Sequence, residues 1–503
     1  MPGLLESITK RHPRIRIVHQ RLLEIAPDAV LIGGAVRDLL LDRPIHDLDY
    51  VVTGDALDIG RRLADRLGAA YYPLDEDRHI ARVVWQTEAG GDEKLVVDIS
   101  SLIGVTLLED IQRRDFTINA IALLPYGDLY DPLEGMKDLE KRVLRPCSPD
   151  SLLNDPVRTI RAVRFLLDFG LQPAPGLDHL VWHAAPYLSR VSPERQRDEF
   201  VKVLALPYPY CAIERMNDWR IVDVVMPELV ALQGLEQPPP HQFDVYHHTL
   251  RTVSWSARLD LWVRGKREAR TGVEARIHHR LASYQDALRD YLETPLTADR
   301  PRWLWFRFGA VAHDWGKATA FREDEDGNIT FYRHELESEQ LAGEWMRRYH
   351  CARNEIRFVQ RMCKGHMRPM SLFISRTLPS RRALFRFYRD MEDAAPAIIL
   401  LFIADFLGAY DDDVDMNILD EALDHAVAWL QPFVADDVIP SPLLSGDEII
   451  QLFDLKPGPQ IGRLIEALQE AQAAGEVHTR EDAVHFLESQ LASGEAPDNE
   501  TTH

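Results

Sequence analysis

The sequence predicts an α+β chain: a small mixed sheet with helices on one side, followed by a long all-α remainder. Three observations carry that expectation. Residues 31–52 read as an apolar run, Gly33-Gly34, a short helical pattern and a second apolar run, which is strand, turn, helix, strand. Apolar runs and helical spacings keep alternating to about residue 147, as a small sheet covered by helices requires. Beyond that point the spacing is helical, with helix starts signalled at Asp155-Pro156 and Ser192-Pro193.

A chain of 503 residues is too long for one core, and three or four domains are expected. The composition shifts place them at 14–147, 148–235, 236–410 with an insert near 263–301, and 411–492, with a disordered end at 493–503. A net charge of -22 argues against indiscriminate nucleic-acid binding, yet a local basic face on an acidic body remains compatible with an RNA enzyme. Cys147, Cys211, Cys351 and Cys363 lack metal-type spacing, so no zinc site or disulfide framework is expected. The chain opens without an apolar signal core, and its most apolar stretch, APAIILLFIADFLGAY, is short and carries Asp405. A cytoplasmic protein without a membrane partner is expected.

The stretch that organises the first domain is LIGGAVRDLLLDRPIHDLDYVV, residues 31–52. Gly33 and Gly34 let the backbone approach a bulky anion, and the helix start behind them favours negative charge. Arg37, one turn in, can reach back to a phosphate. Asp47 and Asp49 stand two apart on a strand, so both carboxylates point to one side. Two hard oxygen donors beside such a cradle suit Mg²⁺. A lone GG or a lone DxD is ordinarily a turn or a solvated strand. Together, GGxVRDxLL and DxD resemble the head signature of the class II tRNA nucleotidyltransferase and bacterial poly(A) polymerase family. The resemblance implies a nucleotidyltransferase head of the DNA polymerase β-like type.

Downstream, residues 56–67 have helical spacing, and ARVVWQ and KLVVDIS read as strands. Asp98 in the latter is a candidate third carboxylate. The segment RRDFTINA follows, and its Arg114, Asp115 and Asn119 match a family segment that contacts the nucleotide's sugar and phosphates. Arg grips phosphate, while Asp and Asn can hold ribose hydroxyls. DPLEGMKDLEKRVLRP is expected to be structural: a turn at Asp131-Pro132, another at Gly135, then a short helix.

In the second domain Arg158, Arg161 and Arg164 follow Asp155 at three-residue steps, adjacent on one helix face. A carboxylate accepts from the exocyclic amine of C or A, and a guanidinium donates to the neighbouring ring acceptors, a pairing that G and U do not match. This resembles the family's EDxxR motif, with Asn154 where the family has Glu. Asp155, Arg158 and Arg161 are therefore candidate nucleotide-binding residues. In SRVSPERQRDEFVKVL, Ser192 can N-cap and Pro193 sits at the first helical position, so capping and packing are favoured, with Arg195 and Arg197 as candidates to face RNA or nucleotide.

The third domain carries a different constellation. His248, then His313-Asp314, then Asp405 resemble the metal-dependent phosphohydrolase superfamily called HD, with His334 and His366 as candidate further ligands. Imidazoles and carboxylates together suit a divalent metal that activates water on a phosphoester. Adjacent His and Asp on a helix point to different flanks, so both can ligate only from a helix end or tight bend. The insert near 263–301 is expected to be a peripheral hairpin. In the last domain Lys456-Pro457-Gly458-Pro459 is a rigid turn before a helix. Exposed backbone N–H groups there, with Lys456, can hold an RNA phosphate. Thr479 and Asp482 have capping-box spacing.

Together these resemblances imply a tRNA 3′-end nucleotidyltransferase with tRNA, CTP and ATP as partners, and Mg²⁺ on Asp47 and Asp49. Only Ile99 to Ile111 separate the metal-site strand from RRDFT. That shortened loop resembles a CC-adding subgroup, so CC-only and full CCA addition both stay open. A poly(A) polymerase is a third form, although YYPLDEDRHIARVV lacks the Arg-rich segment of such relatives. A rival from another class is an HD phosphohydrolase acting on RNA ends or nucleotides. Oligomeric state and the HD metal stay open.

Overall fold

A computed structural model describes residues 13–492 except 46, 87–93, 270, 298, 411–413 and 436–438. The expectation for 493–503 lies outside the described residues. The chain forms two compact units: residues up to Glu199 with Asp218–Val224, and Phe200–Asn217 with the residues from Val225 onward.

The first unit is built on a mixed sheet with strand order β3-β4-β5-β2-β1-β6-β7. The strands are β1 (Val30–Ile32), β2 (Asp47–Val52), β3 (Ala70–Asp75), β4 (Ile80–Trp85), β5 (Leu95–Ser101), β6 (Ala122–Leu123) and β7 (Leu129–Tyr130). β2 and β5 run parallel, while β1, β4 and β6 pair antiparallel with their neighbours. Alternation along β2 decides what each face does. Leu48, Tyr50 and Val52 enter the main core with Leu31, Val83, Val97 and the helix residues Val36 and Leu63. The opposite face carries Asp47 and Asp49, with Val51 against a smaller apolar cluster of Ile32, Ile111 and Ala122.

The helix Ala56–Leu67 is opened by Asp55, whose carboxylate accepts from the Leu57 N–H, and closed by left-handed Gly68. Its position over the sheet depends on Gly60, where a Cβ would collide with the Ala81 methyl. The sequence reading passes over β3. Its signal is the pair Tyr71-Tyr72, aromatic residues that favour strands, ahead of the acidic turn into β4. The helix expected at Asp155-Pro156 begins at Arg158 instead, and Asp155 closes the short helix Ser151–Asn154 in extended conformation (φ -147°). Proline biases the residue before it away from the helical region.

The second unit is helical, with short two-stranded ribbons. Every residue of the helix Ala395–Gly408 is buried, which accounts for its apolarity inside a protein core. No helix among the described residues is long and apolar enough to cross a membrane. Gly408 admits Thr252 and His248 of the helix Val245–Val263, because a Cβ there would meet both side chains. Asp260 on that helix pairs with Arg307, both fully buried, and Arg307 Nη1 donates to the carbonyls of Leu204 and Leu206 at 2.6 Å.

The insert forms the helices Gly272–Leu281 and Gln285–Glu293 and a small ribbon. Arg276 binds Asp420, and His278 stacks on Trp262 at 4.6 Å. The final helices Gly446–Phe453, Pro459–Ala474 and Arg480–Ala492 share a small core around Ile449, Leu464, Leu468 and Leu487. The Asp482 carboxylate accepts from the His478 and Thr479 N–H groups, and its own N–H donates to Thr479 Oγ1, a reciprocal cap.

Candidate functional site

Two clusters of polar side chains stand out, one in each unit. In the first, the parallel register sets Asp49 beside Asp98 on β5, and the antiparallel register sets Arg82 of β4 beside Asp98. Arg82 grips Asp98 through two hydrogen bonds of 2.8 Å. Burial, with Asp98 and Asp47 nearby, pushes the Asp49 carboxyl up to about 6, and Arg114 and Arg161 only partly offset this.

Gly33 (φ +88°) faces the same point. A Cβ there would lie 3.2 Å from Asp49 Oδ2 and 3.4 Å from Arg114 Nη1. Only glycine keeps that backbone conformation without strain and leaves that space open. Gly34 opens the helix Gly34–Leu40.

Behind this cradle runs a chain of charge-assisted hydrogen bonds. Arg37 is 8% exposed; it donates to Asn119 Oδ1 and to Asp38, and lies over the Phe169 ring at 4.3 Å. Asn119 donates to Asp115 at 3.1 Å, Arg161 grips Asp115 at 2.7 and 3.0 Å, and Glu199 holds both Arg161 and Arg164. Burial opposes ionisation of Asp115, but Arg161, Asn119 and the Phe116 N–H together outweigh it and hold the carboxyl down at about 2. Arg158 reaches back across the loop, donating to the carbonyls of Arg113, Arg114 and Ser151. Its Nε is 3.7 Å from Asp155 Oδ2, the same oxygen that Arg195 binds at 2.7 Å. Sequence reasoning missed Arg82 and Glu199, which only register and helix packing bring to these carboxylates.

The second cluster joins five helical segments. His248 lies on Val245–Val263 and Asp405 on Ala395–Gly408, while His313 ends Arg302–Ala312 with Asp314 just beyond. His334 starts His334–Arg348, and His366 sits at the bend after Arg353–Gly365. The adjacent His313 and Asp314 do leave a helix end, and their side chains meet inside the cluster. His248, His313 and Asp405 form one triad, and Asp314, His334 and His366 another. Asp314 joins the two: its Oδ2 is 3.3 Å from His313 Nε2, and its Oδ1 is 3.2 Å from His334 Nε2. Lys317 Nζ contacts Asp314 Oδ2 at 2.7 Å. Gly316 makes the approach possible, since a Cβ there would collide with the His334 carbonyl.

The donor chemistry of this cluster fits a cation. Nδ1 of His313, His334 and His366 each meets a backbone carbonyl, those of Ala310, Phe331 and Cys363. A carbonyl only accepts, so each Nδ1 carries a proton and each Nε2 is the atom turned into the cluster. His334 and His366 face each other Nε2 to Nε2 at 3.2 Å. His313 Nε2 and Asp314 Oδ1 are buried without a hydrogen-bond partner, and Asp314 Oδ2 meets only the Lys317 ammonium; such atoms are costly unless a cation satisfies them. Burial drives His366 down to about 3, reinforced by His334 and His313.

Comparison with known proteins agrees with this architecture. Residues 29–145 match the poly A polymerase head domain, and residues 170–232 match the probable RNA and SrmB-binding site of polymerase A. An A-adding tRNA nucleotidyltransferase of Deinococcus radiodurans is 31% identical over 472 residues, covering 92% of this chain and 95% of that protein. The chain belongs to the tRNA nucleotidyltransferase and poly(A) polymerase family. A CC-adding tRNA nucleotidyltransferase of Thermus thermophilus, also a family member, is 31% identical as well, covering 92% of this chain and 93% of that one. Among solved structures, a CCA-adding enzyme in complex with ATP superposes with a TM-score of 0.61 at 21% identity, covering 97% of this chain and 98% of that one, a likeness of fold. Nucleotidyltransferases of this family work with a divalent metal, and the described residues offer both carboxylate and histidine groups for one.

Proposed function

We propose that this protein is a template-independent tRNA 3′-end nucleotidyltransferase, adding C and/or A from CTP and ATP with release of pyrophosphate. The observation that carries the reading is the convergence of Asp49 and Arg114 on the space left by Gly33, with Asp47 near enough to Asp49 to raise its carboxyl. Asp47 and Asp49 would hold Mg²⁺, which supplies charge neutralisation at the attacking 3′-hydroxyl and the leaving pyrophosphate. A carboxyl pushed up to about 6 by burial, with Asp98 and Asp47 adding to it, is a fitting ligand for that ion. The RNA 3′-oxygen attacks the α-phosphorus, a P–O bond forms, and the bond to pyrophosphate breaks. Arg114 and the Gly33-Gly34 backbone hold the triphosphate. Arg37 acts through Asn119, fixing it and Asp115 against the ribose. Asp155 and Arg158 read the base edge.

Whether C alone or C and A are added turns on residues 99–111. Val105 N–H donates to Glu109 Oε2, Ile103 N–H donates to Asp110 Oδ1, and Thr106 caps the next helix. A segment pinned by its own side chains favours the CC-adding form. A tRNA transcript lacking its 3′ end, incubated with CTP, ATP or both and read to one-nucleotide resolution, tests the reading. No extension with either nucleotide would refute it.

A second reading is favoured by the inward-facing Nε2 atoms of His313, His334 and His366: a divalent metal centre on His248, His313, Asp314, His334, His366 and Asp405. A cation held there would supply water activation toward a phosphoester. Hydrolysis of a model phosphodiester that survives Asp49→Ala and is lost in His313→Ala would support it, and the reverse pattern would reject it.

A further inference from the structure

We propose that a cavity between the helices Pro209–Asp218 and Val245–Val263, apart from both clusters above, binds one unstacked nucleotide of the RNA. The cavity is about 330 Å³ and is lined by Tyr210, Glu214, Phe243, Arg251, Trp255 and Arg258, among others. This proposal rests on the reading of the protein as an RNA enzyme.

Position along the helix comes first. His248 and Thr252 face the protein interior, whereas 247, 251, 254, 255 and 258 recur at helical spacing and form a stripe facing the cavity. Trp255 and Leu250 are buried and make the floor, and Arg251 and Arg258 are half-buried walls.

The charge is the second point. In a chain with 58 basic and 80 acidic residues, this lining presents two guanidinium groups, Arg251 and Arg258, beside the acid Glu214, while Glu274 pairs with Arg258 and Asp244 with His247 from outside it. Arg251 and Arg258 are the groups that would meet an anion.

The third point is preorganisation. Arg251 lies over the Phe243 ring at 4.7 Å, and its Nε donates to the Tyr410 carbonyl at 3.0 Å. Arg258 lies over Trp255 at 4.6 Å and is steadied by Glu274 at 3.4 Å. Both guanidinium planes are therefore fixed before any ligand arrives. A fixed guanidinium offers its outer face to a base and its edge to a phosphate, so two such planes suit a planar group bearing an anion. The volume lies at the small end for ligand pockets, about 300–1,000 Å³. It takes one splayed-out nucleotide and excludes a duplex, in keeping with how single-stranded RNA is usually gripped.

The test uses the full chain with a tRNA transcript lacking its 3′ end. In the double variant Arg251→Gln, Arg258→Gln, the Kd and KM for the transcript rise about tenfold at unchanged kcat, and the salt dependence of binding becomes shallower by about one phosphate contact. Glu214→Gln removes the only acid of the lining and tightens binding two- to threefold, a gain that misfolding would not produce. A transcript carrying 4-thiouridine crosslinks within residues 210–258. Unchanged Kd and salt slope in the arginine variant, or crosslinks confined to other segments, would each overturn the proposal. If the unaltered protein extends no transcript, the nucleotidyltransferase reading fails by itself. The Kd and crosslink map still decide the pocket.

Discussion

Replacing Asp49 by Asn should stabilise the metal-free protein while abolishing nucleotide addition. The burial and the neighbouring carboxylates that lift Asp49 from 3.8 to about 6 are a penalty on its charged form. A group whose folded pKa lies above its unfolded value binds more protons when folded. Stability therefore falls as pH rises through the window from about 4 to 6, and the full penalty is present above it. At about 1.4 kcal/mol per unit, two units amount to about 3 kcal/mol, reduced to about 2 kcal/mol because Asp49 keeps partial solvent access. For a unit of about 200 residues this corresponds to a rise in Tm of roughly 4–8 °C. Scanning calorimetry of both proteins in a chelator, at pH 8 and at pH 4.5, reads the difference directly. Asn should melt higher at pH 8, the gap should narrow to about a third at pH 4.5, and millimolar Mg²⁺ should reverse the order by stabilising only the parent. A lower Tm for the variant at pH 8 in chelator, or a gap independent of pH, would refute the electrostatic account of this site.

Other perturbations separate the remaining roles. His313→Ala should abolish any phosphodiester hydrolysis and leave CTP incorporation within about twofold, measured on one preparation. Arg158→Ala should cut discrimination between CTP and UTP by about tenfold, the scale of one good base-edge contact, in competition assays with defined transcripts. Asp260→Leu leaves Arg307 buried and unpaired and should cost about 3–5 kcal/mol in denaturant unfolding of the second unit. Replacing both residues with apolar ones should recover most of that loss.

The α+β class was legible because both hydrophobic periods are clean. The helix Ala56–Leu67 coincides with its apolar spacing, and the alternation in β2 puts Leu48, Tyr50 and Val52 on one face and the aspartates on the other. Individual carboxylates and histidines were legible because their residue types are rare at those spacings. The partners of these groups were not. Arg82 is 16 residues from Asp98, and Glu199 is 38 from Arg161; tertiary pairing at such separations leaves no local pattern. The start of the Arg158 helix was misplaced by the weight given to proline at a first turn over its effect on the preceding residue. The two-fold division of the histidine cluster was equally hidden, because it depends on which oxygen of Asp314 faces which ring.

The register of β2, β4 and β5 sets Asp49, Asp98 and Arg82 on one rung, two negative charges and a positive one side by side. Strand side chains alternate, so sliding β4 by a single position would turn Arg82 to the far side of the sheet and leave Asp98 uncompensated. The length of the tight connection at residues 76–79 thereby works as a ruler for the charge at the centre of the head. Lengthening it by one residue should disturb catalysis as severely as substituting a carboxylate, from a place where no side chain touches the substrate.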